Sequence, residues 1–476
     1  MKPAGLLLGL ALALCGCAQL GHEPGTAPVP PVAGLPLEWW RGFDDPALER
    51  LVELALRDNL DLAAAAERIR EQRALRRQAA GARAPLLSLS GQHETGRSAR
   101  DGHDETYFYG LDLSWEVDLF GRLRALEQAG AAELQASTAD YQALRVSLLG
   151  EVIGAYLNYR LAQREVGIAT QAADAQAEIA RITRVRFDQG TASGLDVERF
   201  DAQVALTRAA VPQARERAET ARYALAYLLD AEPARIDALL SGDSAPRPPR
   251  QSDLQALLDL PAERLQGRPD VQAAQWRWLA AEREQEAAQA LRYPQLTLGA
   301  LIGLEQGSSL PAWSLGAQAL APLVDFGRIR AGIEASDARR EQARLAYRAA
   351  LNQALRETRS AIAAYGQGLE TGEWLDRARQ SADNATELAR RQYAAGTVSL
   401  IEVLDAERTQ FDTQLEQVRA DTEVALRWVA IYRTLGLAPA ASEPASTPPS
   451  SDPAGHLLPA GEGKSADGAG AYGEHL

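Results

Sequence analysis

Residues 186–197 read RFDQGTASGLDV, and residues 391–403 read RQYAAGTVSLIEV. Their glycines, Gly190 and Gly396, lie 206 residues apart. Upstream, DLFGRLRA (118–125) and VDFGRIRA (324–331) place Gly121 and Gly327 at the same offset of 206. Further upstream, RAPLLSLSG (83–91) and RYPQLTLG (292–299) place Pro85 and Pro294 209 residues apart. One unit of about 200 residues has been duplicated in tandem. Such a chain builds a pseudo-two-fold body, whose function is expected on the axis of an assembly rather than in a single pocket.

Each unit opens with a helix. Asp44-Asp45-Pro46 is a start signal, followed by Leu48, Leu51, Leu54 and Leu62 at roughly helical spacing. Arg268-Pro269-Asp270 opens its counterpart, and Pro85 and Pro294 stop the two helices. Strands follow, at about 86–97, 107–118, 295–305 and 312–321. In YFYGLDLSWEVDLF (107–120), Tyr107, Tyr109, Leu111, Leu113, Trp115 and Val117 alternate with Phe108, Gly110, Asp112, Ser114, Glu116 and Asp118. One face is greasy and the other wet, and the length suits a membrane-spanning strand as well as a soluble hairpin. Loops are expected at 98–105 and 306–311. Four strands cannot close a barrel, and lipid tolerates no open sheet edge. If these strands cross a membrane, several chains must pool them, and three chains give an even twelve.

Long helical tracts come next. No proline falls between Phe120 and Gly190, and apolar residues from Leu123 to Tyr159 recur mostly at steps of 3, 4 and 7, as do those from Ile329 to Tyr365. About 70 residues at about 1.5 Å each make roughly 100 Å of helix. Glycines at 366–372 suggest a break in the second tract. Gly190 and Gly396 read as left-handed helix caps, with Thr191 and Thr397 in the turns. New helices start near Leu195 and Leu400, so each unit carries one helical hairpin, its tip far from the strands.

The ends are of a different kind. Lys2 and the apolar run Ala4–Leu14 form a signal peptide, residues 1–16. Leu14-Cys15-Gly16-Cys17 matches a lipobox register in which Cys17 is the acylated mature N-terminus. Residues 17–37 read as a lipid-anchored linker and 437–476 as a disordered tail. Between them lie the first repeat (38–230), an equatorial or linker segment (231–265) and the second repeat (266–436). The two cysteines, Cys15 and Cys17, leave no disulfide, zinc cluster or thiol nucleophile. Without Lys2 the mature chain has 49 basic and 64 acidic residues, a net charge of −15, which argues against nucleic acid as a partner. The five histidines have no metal-ligand spacing, and no P-loop, nucleophile elbow or dinucleotide fingerprint is present. An enzyme is therefore not expected, nor a cofactor or metal.

The informative polar residues lie just past the turns. Glu402 and Asp405 share a helix face and flank Ile401 and Leu404. In the first unit Asp196 aligns with Glu402, and Arg199 with Asp405. First-turn carboxylates also favour a helix dipole, which by itself accounts for much of Asp196. Around a three-fold axis, Glu402 and Asp405 would gather six carboxylates.

The lipobox, W-W-x-x-F-x-D-P-x-L (39–48), E-V-D-L-F-G-R (116–122), its echo V-D-F-G-R (324–328) and the paired G-T-x-S-x-x-[DE]-V tips resemble the TolC-like outer-membrane efflux proteins. The likeness is to the lipoprotein branch that serves RND-type multidrug pumps, and it spans about 38–436. It implies a mainly α chain with a membrane β-barrel portion. The homotrimer would have a twelve-stranded barrel, a periplasmic α-helical tunnel and an equatorial collar. It also implies docking of a periplasmic adaptor and an inner-membrane RND-type pump at the tips, through Gly190, Thr191, Gly396 and Thr397. By the same resemblance, Asp196, Tyr393, Ile401, Glu402 and Asp405 belong to an iris-like gate. Val398 stands where some members carry a basic gate residue, and Arg199 is expected to substitute for it. Two other functions fit the same residues: the outer-membrane duct of a type I protein-secretion system, and a lipid-anchored periplasmic coiled-coil scaffold.

Overall fold

The computed structural model describes residues 37–98, 102–242, 262–305 and 312–438. Cys17, residues 439–476 of the expected tail and the loop at 306–311 lie outside them, while Leu437, placed in that tail by its sequence, is buried in the core. After a 3₁₀ turn at Trp39–Phe43 come helices α1 (Pro46–Asp58) and α2 (Leu60–Gly81) and strands β1 (Leu86–Ser98) and β2 (Gly102–Val117). Helices α3 (Arg122–Asp188), α4 (Gly194–Leu228) and α5 (Pro233–Leu240) complete the first half. The second half holds a 3₁₀ turn at Ala262–Gly267, α6 (Pro269–Ala290), β3 (Gln295–Glu305), β4 (Ala312–Leu320), α7 (Arg328–Ala394) and α8 (Leu400–Thr434).

Three details depart from the sequence reading. The opening helix is two helices, because Asn59 turns the chain. Its backbone is extended, its Oδ1 accepts from Leu62 N at 3.0 Å, and its Nδ2 donates to the Leu228 carbonyl at 2.9 Å. β2 starts at Gly102 rather than after 105, so the strand takes up part of the expected loop. The glycines at 366–372 do not break α7, which is continuous. Gly368 makes room for a neighbour instead: a Cβ there would meet Arg427 Nη1 at 2.8 Å, and that guanidinium donates to the Ala364 carbonyl at 2.9 Å.

The strands form one antiparallel sheet in the order β1-β2-β3-β4. The helices joined to them, α2, α3, α6 and α7, pack side by side in the same order. Beyond the midpoint the long α3 and α7 continue, and α4 and α8 fold back beside them, with α8 also against α3. Gly121 and Gly327, at φ of 76° and 87°, start the two 67-residue helices. Asp118 and Asp325 supply the missing helix-end acceptors, to Leu123 and Arg124 N and to Gly327 and Ile329 N.

The sheet has two chemically distinct faces. Leu89, Leu111, Ile302 and Trp313 form one continuous row across all four strands, and Leu87, Leu113, Ala300 and Leu315 the next. Leu89, Trp313 and Leu315 are more than three-quarters exposed. Ser88, Asp112, Leu301 and Ser314 form a row of the opposite face. Among the described residues, the outer edges of β1 and β4 have no strand partner within the chain.

The core lies halfway along the long helices. Trp39 stacks on Tyr432 (centroids 5.0 Å apart), meets Trp428 edge-on, and donates Nε1–H to the Leu437 carbonyl at 3.2 Å. Around these rings pack Leu48, Leu51 and Val52 of α1, Val152, Ile153 and Tyr156 of α3, Ile236 of α5, Tyr365 of α7 and Val429 of α8. Trp39 thus clasps the segment before α1 to α8 and the residues just after it. Among the described residues no helix is long and apolar enough to cross a membrane.

Candidate functional site

The two hairpin tips close with the same backbone hydrogen bonds. At Gly190 (φ 74°) the helix closes with Gly190 N donating to Phe187 O at 2.8 Å and Thr191 N to Arg186 O at 2.9 Å. At Gly396 (φ 74°) the corresponding bonds run to Tyr393 O and Gln392 O, both at 3.0 Å. In each turn the threonine hydroxyl adds a bond at 3.0 Å, Thr191 to Arg186 O and Thr397 to Gln392 O. A left-handed residue is obligatory in this closure, and glycine meets it without a Cβ penalty.

The next helices start on capping boxes. Ser193 N and Oγ donate to Asp196 Oδ2, at 3.2 and 2.7 Å, while Asp196 N donates back to Ser193 Oγ. Ser399 N donates to Glu402 Oε2 at 2.8 Å in the second box. Two of the expected gate carboxylates therefore hold their own helix ends. The Ser193 bonds hold the Asp196 carboxyl below the usual carboxylate range. Ile401 and Asp405 are exposed, and Asp405 takes Arg408, one turn on, as its ion partner at 2.8 Å. Arg199 is exposed and, among the described residues, makes no ion pair within the chain, so the Arg199–Asp405 juxtaposition is not made inside one protomer.

Tyr393 is better placed. The Arg186 guanidinium of α3 lies over its ring, 4.6 Å from the centroid, and the Tyr393 hydroxyl is buried without a hydrogen-bond partner. This contact joins the two tips of one chain. Arg186 escaped the sequence reading, although a signal existed: at the 206-residue offset its counterpart is Gln392, a break in the duplication at a tip.

Above the tips lie further ties. Arg184 pairs with Asp201 across α3 and α4, and Arg390 with Glu407 across α7 and α8 at 2.9 Å, so the two pairs are related by the 206-residue offset. Glu407 is buried and also accepts from Gln176 of α3 at 3.3 Å. Higher still, Glu165 of α3 is buried between two arginines. Arg217 of α4 reaches it at 2.6 Å and Arg419 of α8 at 2.8 Å. One carboxylate thus rivets three helices. Among the described residues no group of histidines, cysteines and carboxylates could hold a metal ion.

The family described as "Outer membrane efflux protein" matches residues 51–230 and 260–437, one stretch in each half. The chain is 29% identical over 462 residues to the pyoverdine export outer membrane protein OpmQ of Pseudomonas putida, covering 90% of this chain and 96% of that one. It is 28% identical over 469 residues to the outer membrane protein OprJ of Pseudomonas aeruginosa, covering 91% and 96%. Among solved structures, the outer-membrane channel OprN superposes with a TM-score of 0.77 at 33% identity, covering 87% of this chain and 96% of that one.

Proposed function

Because the chain belongs to the outer membrane efflux protein family and is an outer-membrane channel component of an efflux system, we propose that three copies assemble into a passive exit duct with a gate at the hairpin tips. The observation that carries this reading is the open four-stranded sheet. Its apolar face runs unbroken across all four strands, and among the described residues neither edge has a partner. Lipid would leave the edge N–H and C=O groups unsatisfied, so the edges must be paired. Pairing β4 of one copy with β1 of the next closes twelve strands and turns the serine- and glycine-rich face inward. The same operation places α7 beside the neighbour's α2 and α4, which completes a helical wall below the barrel.

Cys17, acylated, would tether the assembly to the outer-membrane lipid. A periplasmic adaptor and an inner-membrane RND-type pump would dock at the tips, where Gly190-Thr191 and Gly396-Thr397 form the turns. The duct itself supplies no energy. At the gate, Glu402 and Asp405 from three chains place six carboxylates near the axis and Ile401 narrows it, giving a cation preference. Arg186 on Tyr393 ties neighbouring hairpins within a chain, while the exposed Arg199 is free to meet a carboxylate of the next one.

The test is the detergent-extracted, full-length protein. It should run as a trimer that heating converts to monomer, and form cation-selective channels in planar bilayers. A monomer that leaves the membrane once the acyl chains are removed would point to a periplasmic scaffold instead.

A further inference from the structure

Phe108 is the one aromatic ring among the described residues on the polar face of the sheet, the face of Ser90, Gly110, Asp112, Ser114 and Glu116. Its ring lies along the sheet, not away from it. It covers Gly110, two residues on, and Gly303, which faces Gly110 across the β2–β3 pair. A Cβ at Gly110 would meet the ring at 2.7 Å (Cζ) and 2.8 Å (Cε1), and one at Gly303 would overlap Cζ. Neighbouring carbonyls crowd the same points: Ile302 O at 2.7 Å from the first Cβ and Tyr109 O at 2.5 Å from the second. Neither glycine has a positive φ, so no turn demands them. What they provide is a shelf one ring deep.

We propose that Phe108 sets the bore of the barrel. Recessed on the Gly110–Gly303 shelf it leaves the duct wide, and turned upright it narrows it, so that three copies act as a size filter for the cargo. This rests on the barrel reading above. Twelve strands about 4.8 Å apart, tilted about 40°, enclose a ring roughly 24 Å across between backbones. A ring in flat contact stands about 4 Å off the backbone and an upright one roughly 6–7 Å, so the bore falls from about 16 Å to about 11 Å. That span brackets the width of drug-sized molecules, whereas a change of this size in an apolar core would merely repack it.

The sequence makes a clean probe available. Its two cysteines are Cys15 and Cys17. With Cys17 acylated, Phe108→Cys carries the one free thiol. In the trimer reconstituted in planar bilayers, a membrane-impermeant maleimide should label this thiol, and a polymer-bearing maleimide should cut the single-channel conductance at least two-fold. Gly303→Ala should lower conductance by forcing the ring upright, and adding Phe108→Ala should restore it. A thiol shielded from impermeant reagents would overturn the proposal. So would a loss in Gly303→Ala that persists in the double variant, because the glycine would then serve only the backbone. Channels from the unsubstituted protein separate these failures from a failure of the duct itself, and their absence would overturn both.

Discussion

At the residue scale, the informative side chains are those that join helices no local pattern connects. Arg186 and Tyr393 are such a pair. A partly exposed cation–π contact contributes about 0.5–1 kcal/mol, and three copies act together in a trimer. Arg186→Ala and Tyr393→Leu should each raise channel conductance and antibiotic leakage, and the double variant should match the stronger single one. Additive effects in that cycle would show that the two side chains act separately. Glu165 is the heavier tie. Glu165→Ala strips the partner from Arg217 and leaves Arg419 with Glu416 on its own helix; both arginines are about half exposed, and the change should cost about 1–3 kcal/mol, with Glu165→Gln milder. Thermal unfolding monitored by helical circular dichroism reads this directly, and an unchanged midpoint in Glu165→Ala would remove the rivet from the account. Of the tip contact, Tyr393 and the Arg186/Gln392 mismatch were legible in the sequence, whereas the Glu165 ties were not. Glu165, Arg217 and Arg419 lie 52 and 254 residues apart, and charge at helical spacing reads as solvated surface until the neighbouring helix is known.

At the element scale the sequence was far more readable, because turn chemistry is local. Gly190 and Gly396 follow from their place after a long periodic tract, and their positive φ is what the closing hydrogen bonds demand. Replacing either by alanine should cost about 1 kcal/mol or more, seen as faster protease cleavage at that tip alone. One reading failed where packing outvoted local preference. Glycines at 366–372 look like a break, but Gly368 is occupied by Arg427 and the helix runs on. The capping boxes also give the tips a pH response of known sign. Asp196 is held below its ordinary pKa by the Ser193 hydroxyl and amide, so its contribution is complete above the usual aspartate value near about 4 and is lost as pH falls through the depressed folded value. The start of α4 should therefore fray below about pH 4, and Asp196→Asn, which can still accept a hydrogen bond, should abolish that step. Hydrogen exchange at Asp196 and Val197 between pH 5 and 3 is the measurement. Protection that stays flat in the unsubstituted protein would show that the capping bonds do not depend on the charge.

At the scale of the whole molecule, the duplication is a set of instructions for a seam. Phe120, before the first long helix, stacks on Tyr293 at 4.7 Å and so fastens α3 to the stop of α6. Its counterpart at the 206-residue offset, Phe326, precedes the second long helix. It is 99% exposed, beside Leu323 and Val324 at 93% and 76%, with a left-handed φ of 54°. Apolar side chains are not held out in water at a strained backbone position without a partner. If the second half meets the next chain as the first half meets the second, Phe326 takes the place of Phe120 and faces the residue that corresponds to Tyr293. That residue, at the 209-residue offset, is Ala84 of the neighbour, just before Pro85. An alanine there gives the Phe326 ring a small apolar seat in place of the stacked ring of the first seam. Cysteines at 326 and 84, joined by a short bismaleimide, should therefore link neighbouring copies and give dimer and trimer bands on a denaturing gel. Either cysteine alone should give none. Phe326→Asp should weaken the trimer against heat while leaving the monomer's helix content unchanged. Cross-links confined to single chains would mean that the second half closes on its own first half, and the twelve-stranded barrel would have to be abandoned.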